Sequence, residues 1–186
     1  GLSRLDRRRG VVTRFRHRPD DPSSLVSNDV WRIHELRSGE IAVATQQGTD
    51  LFDPRSGRAT RLSRRYPGLV DAMTLVITEA RNGDLWLGQN GRVQHVRAGT
   101  GQVTDYAHDR PGPRQLAGGQ VFAILEDSRG NVWIGGEGGL AYLAAGRAVG
   151  DDREAAGDPC LDGRGGLPAH AEAATGARLQ RESLSW

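Results

Sequence analysis

A phrase repeated about every 45 residues constrains the fold of this chain more than any other feature of its sequence. Three glycines anchor the phrase, Gly39, Gly83 and Gly130, and consecutive anchors lie 44 and 47 residues apart. Each anchor follows a leucine by fourteen residues, a large apolar residue by eight and an isoleucine by six. These residues are Leu25, Leu69 and Leu116, then Trp31, Leu75 and Phe122, then Ile33, Ile77 and Ile124. Agreement at so many positions predicts one structural unit used several times.

Each unit contains the pattern of four short strands. In the first full unit we expect strands over Val30–Leu36, Ile41–Thr45, Gly48–Asp53 and Ala59–Ser63. Apolar residues alternate within them, and short turns that contain glycine separate them. Four adjacent antiparallel strands in about 45 residues are typical of one blade of a β-propeller. The sequence therefore predicts an all-β chain, an incomplete β-propeller of about three four-stranded antiparallel blades.

The repeat also predicts how the chain is divided. We expect a partial propeller over residues 1–145, with blade boundaries near residues 24, 68 and 115, and with the last strand of the third unit absent. The first glycine of the chain fits the place of Gly48, so the chain begins inside a unit. Residues 146–186 are rich in Ala, Gly and Arg and predict a poorly ordered tail. Trp86 and Trp133 hold the same place in consecutive units, so we expect both to lie between adjacent blades.

Composition excludes several classes of protein. Glycine contributes 26 of 186 residues, which disfavours a mostly helical fold. The 25 basic residues are all arginine, but 23 acidic residues offset them and they are spread along the chain, so we expect no nucleic-acid partner. The single Cys160 excludes an internal disulfide and a multi-cysteine metal site. We expect no membrane segment and no signal peptide, because no apolar run approaches the roughly 18 residues of a spanning helix.

No motif points to catalysis. The glycine run from Gly135 to Gly139 leads into an apolar strand, so it predicts a turn between strands and not a phosphate-binding loop before a helix. The histidines are scattered without a pair at metal-ligand spacing. They are His17, His34, His95, His108 and His170. We therefore expect no catalytic residue, no metal and no cofactor.

Polar residues point instead to a binding surface at one end of the blades. In a meander of four strands, the segment before the first strand and the turn between the second and third strands lie at the same end. Amides dominate the polar residues there, and amides suit ligands rich in hydroxyl groups; ordinary polar turns are the alternative interpretation. The candidate ligand-binding residues are Asn28, Asp29, Gln46, Gln47, Gln89, Asn90, Gln120 and Glu137.

The repeated phrase resembles a known family. The segments Asn28–Trp31 and Val121–Gly135 are similar to the two-component regulator propeller repeat, and the resemblance extends over residues 1–143. The first unit departs from the family pattern at Ala42 and Ala44, where the family has tryptophan and glycine. The resemblance implies a non-catalytic part of a periplasmic sensor region, commonly with seven blades, in a bacterial membrane receptor. The output is often a histidine kinase, sometimes a diguanylate cyclase, and the ligand often an oligosaccharide.

Two other functions stay open, and the incomplete ring has a consequence of its own. A propeller scaffold for a protein partner would present an apolar or charged patch in place of the amides. A fragment of a propeller lyase or glycosidase would need a cluster of acidic, Arg, His or Tyr side chains. We expect the remaining blades of the receptor to be partners, because open side faces around Leu5, Phe15, Phe122 and Ile134 favour association. The isolated chain should therefore self-associate or be only marginally stable, and should show no measurable oligosaccharide binding.

Overall fold

A computed structural model describes residues 1–107, 116 and 118–145 of the chain. These residues form thirteen strands and one short helix, α1 (Leu62–Arg65). The strands are β1 (Leu2–Asp6), β2 (Val11–Phe15), β3 (Val30–Glu35), β4 (Ile41–Thr45), β5 (Gly48–Asp53), β6 (Arg58–Arg61), β7 (Thr74–Glu79), β8 (Leu85–Gln89), β9 (Arg92–Val96), β10 (Val103–Ala107), β11 (Val121–Glu126), β12 (Val132–Gly136) and β13 (Gly139–Leu143). The prediction of a nearly all-β chain is confirmed, and the predicted tail over residues 146–186 lies outside the described residues.

The strands form four antiparallel sheets in which the order in space follows the order in the chain. Strands β3–β6 form blade 1 and strands β7–β10 form blade 2, each with four strands. Strands β11–β13 form blade 3, and strands β1 and β2 form a two-stranded half-blade that precedes blade 1. The predicted bounds of β4 and β5 are confirmed. The predicted fourth strand of blade 1 ends early, at Arg61, because Leu62–Arg65 turn into α1.

The three anchor glycines occupy the same turn in the three blades. Their φ angles are 81° at Gly39, 88° at Gly83 and 84° at Gly130. In each turn the glycine N–H donates to the carbonyl three residues earlier, at 2.8 to 3.0 Å. This left-handed backbone conformation disfavours residues with a Cβ, which explains why the repeat keeps glycine there.

The hydrophobic core lies between successive sheets. One cluster joins blade 1 to blade 2 through residues such as Leu51 and Leu87. A second cluster joins blade 2 to blade 3 and contains Trp86 and Ile134. A third packs the half-blade on blade 1, where Phe15 meets Phe52 edge-to-face at 4.7 Å between ring centroids. Each sheet is therefore covered on both faces only where a neighbouring sheet stands on each side.

The two repeated tryptophans differ in their surroundings. Trp86 is buried in the cluster between blades 2 and 3, as predicted, and stacks on His95 at 4.1 Å. Trp133 stacks in the equivalent way on Tyr142, at 5.2 Å, and is only half-buried. Trp133 faces the side of blade 3 that carries no described sheet, so the expectation that it lies between adjacent blades stays a prediction.

The predicted open faces also need a correction. Leu5 and Phe122 are exposed, as expected. Ile134 is buried, because it points toward blade 2 and joins the core there. Phe15 is half-buried by its contact with Phe52. The open apolar surface therefore belongs to β1, β2, the exposed side of β3 at Trp31 and Ile33, and the outward side of blade 3.

The first strands of the three blades lie side by side, and each carries the same irregularity. Strand β7 contacts both β3 and β11. Each of the three strands has a β-bulge at its beginning, which leaves one residue out of the pairing register. The bulged residues are Trp31, Leu75 and Phe122. They are the large apolar residues that recur eight positions before each anchor glycine, and we call them the bulge row.

Candidate ligand-binding face

The segments that lead into β3 and β11 and the turns between the second and third strands lie together at one end of the blades. We call this surface the amide face. In blade 1, Gln46 N–H donates to the Asp29 carbonyl at 3.0 Å. In blade 3, Glu137 N–H donates to the Gln120 carbonyl at 3.0 Å. The meander topology thus brings these turns and leading segments together, as the sequence indicated.

The amide face also continues from blade 2 to blade 3. Asn90 and Gln120 form an antiparallel bridge between the two sheets. The neighbouring Gly91 N–H donates to the Gly119 carbonyl at 2.6 Å. These backbone contacts place the polar turns of two blades next to each other, so a ligand there would meet side chains from both.

Several candidate side chains on this face are available to solvent. Gln46, Gln47, Asn90 and Asp29 are exposed. Asp29 N–H is held by the Ser27 hydroxyl at 3.0 Å, which fixes the backbone before β3. An exposed amide offers one acceptor and two donors, so this set can match hydroxyl groups in either sense.

Other candidate side chains have structural tasks. The Asn28 side-chain oxygen accepts the His17 N–H at 2.9 Å and ties blade 1 to the half-blade connection. A Glu137 carboxylate oxygen accepts the Gln120 N–H at 3.0 Å and closes the turn of blade 3. Both side chains therefore shape the amide face, and a ligand would compete with these hydrogen bonds.

Gln89 differs from the expectation of a solvent-facing side chain. It is 2% exposed, and its amide nitrogen lies 3.3 Å from both the Val70 carbonyl and the Thr74 hydroxyl. The segment that leads into β7 covers it. Gln89 therefore supports the backbone beneath the amide face, because its amide is enclosed by protein on all sides.

The bulge row also belongs to this face, although the sequence did not predict it there. The bulges lie at the beginnings of the first strands, next to the segments that carry Asn28, Asp29 and Gln120. Trp31 and Phe122 are each 54% exposed, and Leu75, which has a blade on both sides, is half-exposed. A β-bulge adds a residue and redirects its side chain. The recurring apolar position was visible in the sequence, but its departure from regular pairing was not.

A shallow cleft lies beside these groups on blade 3. It is lined by Gln120, Leu116 and several glycines and is open to solvent. It is too small to enclose a drug-sized ligand, which commonly occupies roughly 300–1,000 Å³. A ligand at this end of the blades would therefore have to be held mainly by the exposed face.

The carboxylate whose pKa departs furthest from its usual value lies away from the amide face. Asp127, in the turn after β11, accepts the Trp133 indole N–H at 2.9 Å and the Asn131 amide at 2.8 Å. These hydrogen bonds hold the pKa of Asp127 well below its usual range. Within the parts of the chain described, no three His, Cys, Asp or Glu side chains come together as metal ligands would.

Comparison with protein families assigns the third unit. Residues 115–138, which contain β11 and β12, match the model of the two component regulator propeller. This unit is similar to the two-component regulator propeller repeat. The family resemblance noted in the sequence is confirmed there, and a comparison with curated proteins finds no match.

Solved structures extend the similarity beyond one propeller repeat. The chain is similar to the extracellular domain of BT3049 from B. thetaiotaomicron, which is described as a hybrid two component system, with a TM-score of 0.65 and 28% identity. The match covers 78% of this chain and 19% of that domain. The extracellular domain of BT4673 from the same organism is a further match, with a TM-score of 0.48, 18% identity, and 76% and 24% of the two chains covered. The chain thus spans about a fifth of the BT3049 domain.

No helix in the described part of the chain has the length and the apolar character needed to cross a membrane.

Proposed function

We propose that this chain is part of the extracytoplasmic sensor propeller of a bacterial two-component receptor. The regulator propeller repeat at residues 115–138 supports this proposal. The similarity to the extracellular domain of a protein described as a hybrid two component system supports it as well. In this function the chain binds a signal and transmits it to an output domain elsewhere in the receptor, with no reaction at the propeller itself.

The proposed ligand is an oligosaccharide held on the amide face. The observation that carries this proposal is that exposed amides and exposed aromatic rings share one end of the blades. Gln46 and Asn90 can exchange hydrogen bonds with hydroxyl groups. Trp31 and Phe122 present apolar ring surface that can pack on the C–H face of a sugar ring. A sugar ring offers hydroxyl groups for the first kind of contact and C–H surface for the second.

A scaffold for a protein partner is the second candidate function. The exposure of Trp31 and Phe122 favours it, because aromatic residues are enriched where proteins associate. The two functions differ in what they require of the amides. An oligosaccharide depends on the amides and the rings together, whereas a protein partner could bind mainly through the rings.

Calorimetric titration of a completed ring against a panel of glycans tests the ligand. The ring is completed by adding repeats to this chain, because the isolated chain is expected to show no binding. Gln46→Ala removes an exposed amide from the amide face. Gln102→Ala is the matched control, because Gln102 is also an exposed glutamine but lies in the turn between β9 and β10, at the opposite end of blade 2.

The proposal expects a glycan to bind the completed ring. Gln46→Ala and Trp31→Ala should each weaken binding about tenfold, which corresponds to roughly 1.4 kcal/mol, and Gln102→Ala should leave it unchanged. A completed ring that folds and binds no glycan would contradict the oligosaccharide. A protein ligand whose binding depends on Trp31 and not on Gln46 would support the scaffold instead.

A further inference from the structure

Successive blades are joined by a repeated set of hydrogen bonds at the end opposite the amide face. Arg37, in the turn after β3, donates its backbone N–H to the Glu79 carboxylate of blade 2 at 2.9 Å. Its guanidinium donates to the Arg81 carbonyl at 2.6 Å. A turn of one blade thus supplies donors, and the next blade supplies a carboxylate and a carbonyl oxygen.

The same arrangement recurs one blade later. Arg81 donates its backbone N–H to the Glu126 carboxylate at 2.6 Å, and its Nε lies 3.2 Å from that carboxylate. The Arg81 guanidinium also donates to the carbonyls of Ser128 and Asp127. In both pairs the arginine precedes the anchor glycine by two residues and the glutamate precedes the anchor of the next blade by four. The contact is therefore a property of the repeat.

Blade 1 has the accepting half of this contact without a described donor. Glu35 precedes Gly39 by four residues, so it is the equivalent of Glu79 and Glu126. It is exposed, and no described residue donates a hydrogen bond to its side chain. The carbonyl of Arg37 corresponds in the same way to the carbonyls of Arg81 and Ser128. This corner of blade 1 thus offers acceptors only.

The apolar surface beside Glu35 is uncovered in the same way. Ile33 is 53% exposed, whereas its equivalents Ile77 and Ile124 are 1% and 9% exposed beneath the preceding blade. The half-blade in front of Ile33 consists of β1 and β2, and within the described chain β1 is paired on one side only. A complete blade has two further strands between β1 and its inner edge. No described strand takes either of these two positions.

We propose that the surface formed by Ile33, Glu35 and the free edge of β1 docks the two inner strands of a further repeat. The turn between these two docked strands carries an arginine two residues before its glycine. Charge complementarity identifies this occupant, because the two equivalent glutamates, Glu79 and Glu126, each accept a hydrogen bond from an arginine in a turn of the preceding blade. The arginine donates to the Glu35 carboxylate and to the Arg37 carbonyl. An apolar residue from its second strand covers Ile33. This proposal rests on the fold and is independent of any ligand.

The repeat itself supplies the test. Gly91 is the equivalent of the first residue of the chain, so a copy of residues 74–90 placed before Gly1 continues into β1 as β8 continues into β9. The added segment contains a copy of Arg81. The matched control carries the same extension with that added arginine replaced by glutamine. The measurement is the thermal midpoint of each protein with and without Glu35→Gln.

The proposal expects the extension to raise the Tm by at least about 4 °C. Glu35→Gln should lower the Tm of the extended protein, leave that of the original chain unchanged, and have no effect in the glutamine control. An extension that leaves the Tm unchanged would overturn the proposal. So would a Glu35→Gln substitution with the same effect in every protein.

Two measurements on the original chain guard against an extension that fails to fold. Glu79→Gln and Glu126→Gln should lower the Tm, because their carboxylates already receive a turn from the preceding blade, whereas Glu35→Gln should not. An equal loss at Glu35 would show that its partner is already present and would overturn the proposal. Sedimentation tests whether a second copy of the chain occupies this surface instead. A dimer that Ile33→Glu dissociates and that persists in the extended protein would also overturn the proposal.

Discussion

Gly88 shows how tightly single residues control the spacing of the blades. A Cβ added at Gly88 would lie 2.5 Å from Val76 of its own blade and 2.7 Å from Val121 of blade 3. Both valines are buried, so neither can move aside without opening the core. The close approach of β7 and β11, the first strands of blades 2 and 3, therefore requires glycine at this position of β8.

Gly88→Ala should destabilise the protein by about 1–3 kcal/mol, the usual cost of overpacking a core. Urea denaturation measures the change in the free energy of unfolding. The matched control is Gly135→Ala, at the equivalent position of blade 3, where an added Cβ would meet only the Ala123 Cβ at 3.8 Å. An equal loss of stability in the two variants would contradict this account of the spacing.

His95 makes the stability of the chain depend on pH. It is buried, stacks on Trp86 and lies 2.7 Å from an Asp84 carboxylate oxygen. Burial lowers the pKa of His95 and outweighs the nearby carboxylate, which acts in the opposite direction. The unfolded chain, with an ordinary histidine pKa near 6.5, therefore binds a proton more readily than the folded chain. His95 thus makes the folded state less stable as the pH falls below about 6.5.

Denaturation at several values between pH 7.5 and pH 5 measures this dependence. The native chain should lose stability toward pH 5 with a slope of at most about 1.4 kcal/mol per pH unit from this one group. His95→Gln should reduce the slope, whatever its effect on the stability at pH 7.5. His17→Gln is the control, because His17 is exposed. Equal slopes for the native chain and His95→Gln would contradict the role given to burial.

At the scale of the elements, packing between sheets decides how much each repeated residue contributes. Trp86 and Trp133 occupy equivalent cross-strand pairs, opposite His95 and Tyr142. Only Trp86 is enclosed between two described sheets. Trp86→Ala should therefore cost about 3–5 kcal/mol, as removal of a buried tryptophan usually does.

Trp133→Ala is the matched variant and should cost clearly less, because that side chain is only partly buried. The difference between the two free energies of unfolding is the quantity to measure. A loss at Trp133 as large as the loss at Trp86 would show that a further layer already covers blade 3.

The strands of the repeat could be predicted closely from the sequence because their signals are local. Alternating apolar residues and turn glycines set the limits of β4 and β5 without knowledge of the neighbouring sheets. The bulges at Trp31 and Phe122 could not be predicted, because a bulge depends on the pairing of two strands. The burial of Gln89 was missed for a similar reason, since the segment from Val70 to Thr74 that covers it belongs to no periodic pattern.

The candidate site was predictable in its location and less so in its members. Topology alone placed Gln46 beside Asp29, and the hydrogen bond between them agrees. Which side chains remain free depends on tertiary contacts such as that of Asn28 with His17. The aromatic part of the face was hidden, because apolar residues in strands are usually assigned to the core.

At the scale of the whole molecule, the described sheets stand side by side as consecutive propeller blades do, and the first and the last of them each have a described neighbour on one side only. Apolar side chains are exposed at the side of the half-blade and on the outward side of blade 3. They include Leu5, Val11, Val12, Ile33, Leu125 and Leu140. Repeats of this kind bury their faces only against their neighbours. We therefore expect these surfaces to pack against further repeats of the same kind.

Sedimentation velocity over a series of concentrations tests this central claim most directly. The account predicts that the isolated chain self-associates as its concentration rises, because the exposed apolar faces find each other. It predicts that the same residues within a completed ring sediment as a monomer at every concentration. A stable isolated chain that remains a single monomeric species throughout the series would contradict the account, since its side faces would then need no further blades.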